Sequence, residues 1–331
     1  MRSNKNWKSD LIDLLSELTI VGSYSRLGIE RRQAQFNSEE MPVDLAGRVY
    51  VITGANSGIG FATARALAER KAKVIFVCRN SAKATRAIQY LMDELSEDSP
   101  TPELVVADLS DLESVQEAAV TLSLQNEQIH GIIHNAGNGI HTRTLNAQGF
   151  EEMFCTHVLG PVTLNEALLP QLRTSNTPDN PGRVIWVSSG GMYTSGLQLD
   201  DLQWEKRPYE WLKVYAENKR AQVALAEAYA SIEPEPQKVV FHSMHPGWVK
   251  TPLVEAHLPQ FEKAVGRWLR TPEQGADTVI WLAIAKVAAK SSGDFWLDRK
   301  KRRKAVFPNT RVDLADAQRL LEICKSLILP L

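Results

Sequence analysis

From residue 46 onward, apolar positions come in short, nearly continuous runs separated by longer stretches with helical spacing. The runs "RVYVITG" (48–54), "KVIFVCR" (73–79), "ELVVADL" (103–109), "IHGIIHNAG" (129–137), "RVIWVSS" (183–189) and "KVVFHSMHPG" (238–247) have the length and residue types of strands. "GIGFATARALAERK" (58–71) and "SAKATRAIQYLMDELS" (81–96) read as helices, the second with Ser81 as N-cap. Strands that are apolar on both faces and alternate with helices predict a parallel sheet covered on both sides. The pattern therefore predicts one doubly wound α/β domain over residues 46–300. An extension (1–45) precedes it and a tail containing a helix (301–331) follows. No internal repeat is evident, and "TSNTPDNPG" (174–182) reads as a turn-rich connection inside the domain.

Within the extension, Trp7, Leu11, Leu14, Leu15 and Leu18 share one helical face. Asp13 and Glu17 interrupt the apolar stretch and Asp10 precedes it, so neither a signal peptide nor a transmembrane segment is expected. Such a helix either packs on the domain or makes a peripheral contact with a membrane surface or substrate entrance. The 331 residues are 44% hydrophobic, enough for one large core. With 38 basic and 39 acidic residues there is no electrostatic footprint for nucleic acid. Cys78, Cys155 and Cys324 are odd in number and far apart, which predicts neither a disulfide framework nor a metal cluster. They fit a reducing compartment, so a cytoplasmic location is expected. The seven histidines lack zinc-ligand spacing.

The chemistry begins at "TGANSGIG", residues 53–60. Gly54, Gly58 and Gly60 fall where a strand gives way to a helix. Glycine permits the tight turn and lets phosphate oxygens approach the backbone. The helix start adds unpaired N–H groups and the positive end of its dipole. A dinucleotide site follows, with G-x-x-x-G-x-G spacing. A P-loop does not, because no G-K-[ST] comes after the glycines.

This spacing resembles the short-chain dehydrogenase/reductase superfamily, and four further motifs match in order. They are "HNAG" (134–137), Ser189 in "VSSGG", Tyr215 and Lys219 in Y-x-x-x-K, and Pro246 with Gly247. The stretches "VSSGGM", "YAENKR", "SMHPGW", "QGAD" and "DRK" are most similar to the dehydrogenase/reductase SDR family member 12 group. The resemblance implies a Rossmann-type fold with a mostly parallel seven-stranded sheet and a nicotinamide cofactor. It implies a small-molecule carbonyl or alcohol substrate, and it leaves room for a homo-oligomer. It places Gly54, Asn56, Ser57, Gly58, Ile59 and Gly60 under the pyrophosphate and Asp108 and Leu109 beside the adenine. Asn135, Ala136 and Gly137 fall near the adenine ribose, Pro246 and Gly247 belong to the cofactor site, and Thr251 matches a contact to the nicotinamide carboxamide or the pyrophosphate. Residues 251–290 would form the substrate cover.

By the same resemblance Tyr215 is the general acid or base, Ser189 steadies the substrate oxygen, and Lys219 holds the nicotinamide ribose. A free tyrosine has a pKa of about 10. An ammonium one helical turn away is expected to lower it. At the end of the second strand stands Arg79 and no carboxylate, which favours NADP over NAD. One position departs from the family. His157, in "THVLG", stands where asparagine usually supports a water chain to the lysine; a free histidine titrates near pH ~6.5, and the like charge of Lys219 is expected to disfavour its protonation, with activity lost on the acid side as it gains a proton.

Neighbouring groups have plainer readings. Ser188 is expected to bond backbone and Tyr193 to form substrate wall or surface. Tyr209 lacks a lysine four residues on, and Trp186 should pack inside its strand. Met192, Trp204, Trp211 and Trp248 suit either ordinary packing or a lipophilic lining. The reading is an NADP-dependent oxidoreductase. The alternative is a nucleotide-binding regulatory or scaffold protein with the same fold and little turnover.

Overall fold

The computed structural model describes residues 20–177 and 180–328. The amphipathic helix read over residues 7–18 lies outside the described residues. Each of the six apolar runs forms a strand: β1 (Val49–Thr53), β2 (Lys73–Cys78), β3 (Glu103–Val106), β4 (Gly131–His134), β5 (Gly182–Val187) and β6 (Val239–Met244). With β7 (Asp294–Leu297) and β8 (Lys300–Arg302) they make one sheet of order 3-2-1-4-5-6-7-8. Strands β1 to β7 are parallel, and β8 turns back antiparallel to β7, pairing Leu297 with Lys300. The sheet thus has eight strands where seven were expected. The extra strand reads "KKR" and stands at the edge, where its two exposed lysines block further pairing. It has no apolar signature to read.

Among the described residues, the short α-helices α1 (Ile20–Tyr24) and α2 (Arg26–Gln33) precede the sheet. Then come α3 (Gly58–Ala68), α4 (Ser81–Glu94), α5 (Leu112–Gln125), α6 (Glu152–Phe154), a π-helical turn (Cys155–Leu159) and α7 (Gly160–Ser175). After β5 follow α8 (Trp211–Ile232), α9 (Pro252–His257), α10 (Pro259–Val265), α11 (Pro272–Ile284) and α12 (Leu314–Leu327). The N-cap of α4 is Asn80, one residue before the serine expected there; its Oδ1 accepts from the Lys83 N–H at 2.9 Å. Ser81 is the first helical residue.

Strand residues alternate between two cores, as the pleat requires. Val51 and Ile75 join α5, α7, α8 and α12 on one face. Tyr50, Ile52, Val74 and Phe76 join α3, α4 and α11 on the other. Each such side chain contributes roughly 1.5–3 kcal/mol by leaving water. The expected cover, 251–290, divides in two. Helices α9 and α10 bury no residue, whereas Ala276, Val279, Leu282 and Ala283 of α11 belong to the core. The chain winds outward in opposite directions from β1 and β4, so a crevice opens between their carboxyl ends.

Candidate active site

β1 delivers its glycine turn into this crevice. Gly54 and Gly58 have φ of +65° and +54°, a region costly for residues with a Cβ. A Cβ on Gly60 would collide with the Gly54 carbonyl, so the helix packs close against the turn. Ser57, the N-cap of α3, makes no side-chain bond to the first helical turn, whereas Asn80 and Asp111 cap α4 and α5. The leading N–H groups of α3 are therefore left for an anion, and a pyrophosphate fits the cradle. Asn135 braces it: its Nδ2 donates to the Thr53 and Gly54 carbonyls at 3.0 and 3.2 Å. The Thr53 hydroxyl in turn accepts from the N–H groups of Asn135 and Ala136, both at 3.0 Å. Thr251 packs by its methyl group against Gly58 and caps α9. Ile59 leans on Gly275, and Leu109 is buried in the first core. Asp108 accepts from the Ser110 N–H and hydroxyl at 2.9 and 2.7 Å.

The motif residues from β5, α8 and the π-helical turn meet beside this cradle. Tyr215 and Lys219 lie one turn apart on α8, and the lysine Nζ is 5.6 Å from the tyrosine ring centroid. Ser189 hydrogen-bonds Tyr215, and its Oγ accepts from the Gly191 N–H at 3.2 Å. Lys219 is buried and donates to the Val187 carbonyl at 2.9 Å and to Gln222 Oε1 at 3.2 Å. Burial pushes its ammonium down to about 7. Tyr215 moves opposite to expectation: burial raises its pKa, and the bond to Ser189 only partly opposes this. Desolvation of the phenolate is the larger cause, because a buried phenol lacks water for its charge when it ionises.

His157 reaches the same place, edge-on to Tyr215 with centroids 5.6 Å apart. It stands on the π-helical turn rather than on a regular long helix. Its Nε2 accepts from the Asn138 N–H at 3.0 Å, which puts the proton of the neutral ring on Nδ1. Burial, and the like charge of Lys219 that was expected to disfavour its proton, hold its pKa well below 6.5. Gly137 separates the groups: a Cβ there would stand 3.2 Å from His157 Nε2 and 3.9 Å from Lys219 Nζ. At Gly247, φ is +82° and a Cβ would collide with Arg270, whose Nη1 donates to the Pro246 carbonyl at 3.1 Å.

The short chain dehydrogenase family profile matches residues 48–261. This chain belongs to the short-chain dehydrogenase/reductases. It is 38% identical over 306 residues to dehydrogenase/reductase SDR family member 12 of Bos taurus, covering 92% of this chain and 93% of that one. Retinol dehydrogenase 12 of Homo sapiens is 33% identical over 263 residues, 78% of this chain and 80% of the relative. An uncharacterised protein from Mycobacterium paratuberculosis has a similar crystal structure, with TM-score 0.68 and 26% identity over 88% of this chain and 97% of that one. As a short-chain dehydrogenase/reductase the chain is an oxidoreductase of CH–OH and C=O groups with an NAD(P)-binding Rossmann fold.

The plainer readings around this dehydrogenase/reductase site fare variously. The Ser188 hydroxyl donates to the Lys219 carbonyl at 2.7 Å, a backbone bond as expected. Trp186 is fully buried and stacks on Tyr229. Tyr193 donates to the Arg303 carbonyl and Tyr209 to Glu151 at 2.9 Å, so each hydroxyl serves the scaffold. Met192 and Trp204 are buried core residues. Trp248 meets Tyr24 and Phe261 edge-on, and Trp211 lies against His141 at 4.5 Å between centroids.

Sequence reasoning missed three groups. Lys83 and Arg86 line a cleft of about 450 Å³ with Asn56, Ser57 and Tyr90. Their i, i+3 spacing with no acid between was the available signal. His141 meets His257 of α9 at 3.2 Å, joining that helix to the loop after β4. The third group is a buried clamp. Asp298 accepts from Arg270 Nη1 and Nη2 at 2.6 and 2.9 Å and from Arg32 Nε at 2.7 Å. It ties α2 to the turn at Pro246 and Gly247, where Tyr24 packs edge-on against His245 at 4.4 Å.

Proposed function

We propose that this dehydrogenase/reductase is NADP-dependent and interconverts a lipophilic carbonyl compound and its primary or secondary alcohol, with Tyr215 as general acid or base. The observation that carries the reading is the meeting of Ser189, Tyr215 and Lys219 beside an uncapped glycine turn. A bound nicotinamide supplies or accepts the hydride. The chain supplies the proton and the oxygen site. Ser189 Oγ accepts from the Gly191 N–H and shares a hydrogen bond with Tyr215; a substrate oxygen entering between the two would take the serine proton, which steadies an alkoxide. Burial keeps the Tyr215 phenol protonated, which suits it to give its proton as a carbonyl is reduced. Lys219 approaches from the same helix face, where its charge favours the phenolate left behind.

The nucleotide preference rests on Arg79, which is 68% exposed and only loosely paired with Asp108 at 3.8 Å. Lys83 and Arg86 line the adjoining cleft beside Ser57 and add positive charge where a 2′-phosphate would lie. A lipophilic substrate is favoured by the similarity to retinol dehydrogenase 12 and by Trp211 and Trp248 near the cover. Among the described residues no helix is long and apolar enough to cross a membrane. The test is a panel of apolar aldehydes, ketones and alcohols, followed by the absorbance of the reduced cofactor. Turnover of at least one apolar member with NADP(H) is expected. A protein that binds NADPH yet turns over no member of a broad panel favours the regulatory alternative.

A further inference from the structure

We propose that Gln222 is a positioning residue for Lys219: its amide bridges the ammonium to the backbone of the π-helical turn and fixes the direction in which the lysine presents its remaining proton. Gln222 is buried, at 1% exposure, three residues beyond Lys219 on α8. Its Oε1 accepts from Lys219 Nζ at 3.2 Å and its Nε2 donates to the His157 carbonyl at 2.9 Å. An ammonium only donates and a carbonyl only accepts, so one orientation of the amide satisfies both ends.

The His157 carbonyl is available for a local reason. The residue four positions on is Pro161, which has no N–H to close the usual helical bond. The π-helical turn and the proline thus offer an acceptor toward α8, and Gln222 has the length to take it. A second proton of Lys219 goes to the Val187 carbonyl at 2.9 Å. With two of its three protons fixed, tetrahedral geometry leaves one direction for the third. The titratable groups facing Lys219 are Tyr215 on its own helix and His157 from the turn, and neither brings negative charge at neutral pH. No carboxylate is among its hydrogen-bond partners, so the two fixed oxygens are what hold a buried ammonium against desolvation.

The inference rests on the catalytic reading of Lys219, and its test is separable from that reading. The full chain, labelled with ¹³C at lysine Cε, is titrated by NMR as wild type, Gln222→Met and Gln222→Glu, with Lys219→Met to assign the signal. Gln222→Met removes one acceptor at nearly constant volume. Its Lys219 midpoint should fall by about one unit, a tenfold loss of proton affinity. Gln222→Glu should raise the midpoint. In the pH dependence of kcat, the alkaline limb set by a required ammonium should move down with Gln222→Met by the same interval. If Gln222→Met does not fold, Gln222→Asn, too short to span both partners, should lower the midpoint likewise. An unmoved midpoint, or a kcat lowered equally at every pH with no shift of the limb, overturns the proposal and leaves Gln222 a packing residue. A shifted midpoint in a protein with no turnover on any substrate supports the positioning and counts against the proposed reaction.

Discussion

Arg79 stands mostly in solvent with a partner it can exchange easily, since an exposed ion pair at 3.8 Å contributes little. A 2′-phosphate offers the guanidinium two oxygens in its own plane. NADPH should therefore bind more tightly than NADH by ~1–3 kcal/mol, and Arg79→Ala should abolish most of that difference in calorimetry. Equal preference in both proteins would remove Arg79 from the site. His157 makes the opposite kind of prediction. Its ring is buried, next to a cation, and held neutral by the Asn138 N–H. Wild type and His157→Asn should give superimposable pH–rate profiles between about pH 6 and 8, with any difference confined to more acid solution. A wild-type limb near pH ~6.5 that vanishes in His157→Asn would restore the titrating role that the sequence suggested. Residue types at fixed local spacing were legible: the glycine turn, Ser189, and Tyr215 with Lys219. Gln222 was not, because its second partner is 65 residues away and is a backbone atom. Nor was the direction of the Tyr215 shift, which depends on burial that no spacing reports.

At the scale of elements, strands buried on both faces were read to within a few residues at each end, because their apolar runs are uninterrupted. The π-helical turn, β8 and the division of 251–290 were not. An extra residue in a helical turn leaves no compositional mark, a three-residue charged edge strand has no pattern, and the apolar spacing of α11 begins only after a capped proline start. The N-terminal clamp was invisible for a further reason: Arg32 and Asp298 lie 266 positions apart. Asp298 is 1% exposed and bridges two guanidiniums, with φ of +51° that the surrounding bonds hold in place. Asp298→Asn should leave those cations buried without a counter-charge and cost about 3–5 kcal/mol in urea unfolding. It should also make the segment containing α1 and α2 cleavable by protease before the domain unfolds. A loss under about 1 kcal/mol with unchanged proteolysis would mean that the apolar contacts of Ile29 and Tyr24, not the clamp, seat the segment.

The whole molecule stores an acid sensitivity in its histidines. His134 and His242 are held down to about 4, His245 to about 3, and His157 well below 6.5, in each case chiefly by burial. The unfolded chain takes up those protons near pH ~6.5, whereas the native one does not, so the unfolded state binds more protons below that pH. Stability should be full above about 6.5 and fall as pH drops toward 4, by up to about 1.4 kcal/mol per pH unit for each histidine. Urea midpoints at several pH values between 7.5 and 4.5 check this, and a flat profile would show that the histidines charge within the fold. The same doubly wound frame brings the glycine turn, Ser189 and α8 to one crevice, where the central claim is chemical. Its most direct test is transfer of deuterium from C4-deuterated NADPH to a carbonyl substrate by wild type and Tyr215→Phe, with NADPH affinity measured on both. The account predicts equal affinity, labelled alcohol from wild type, and a rate lowered by at least about a hundredfold in Tyr215→Phe. Labelled alcohol formed at the wild-type rate by Tyr215→Phe would contradict it.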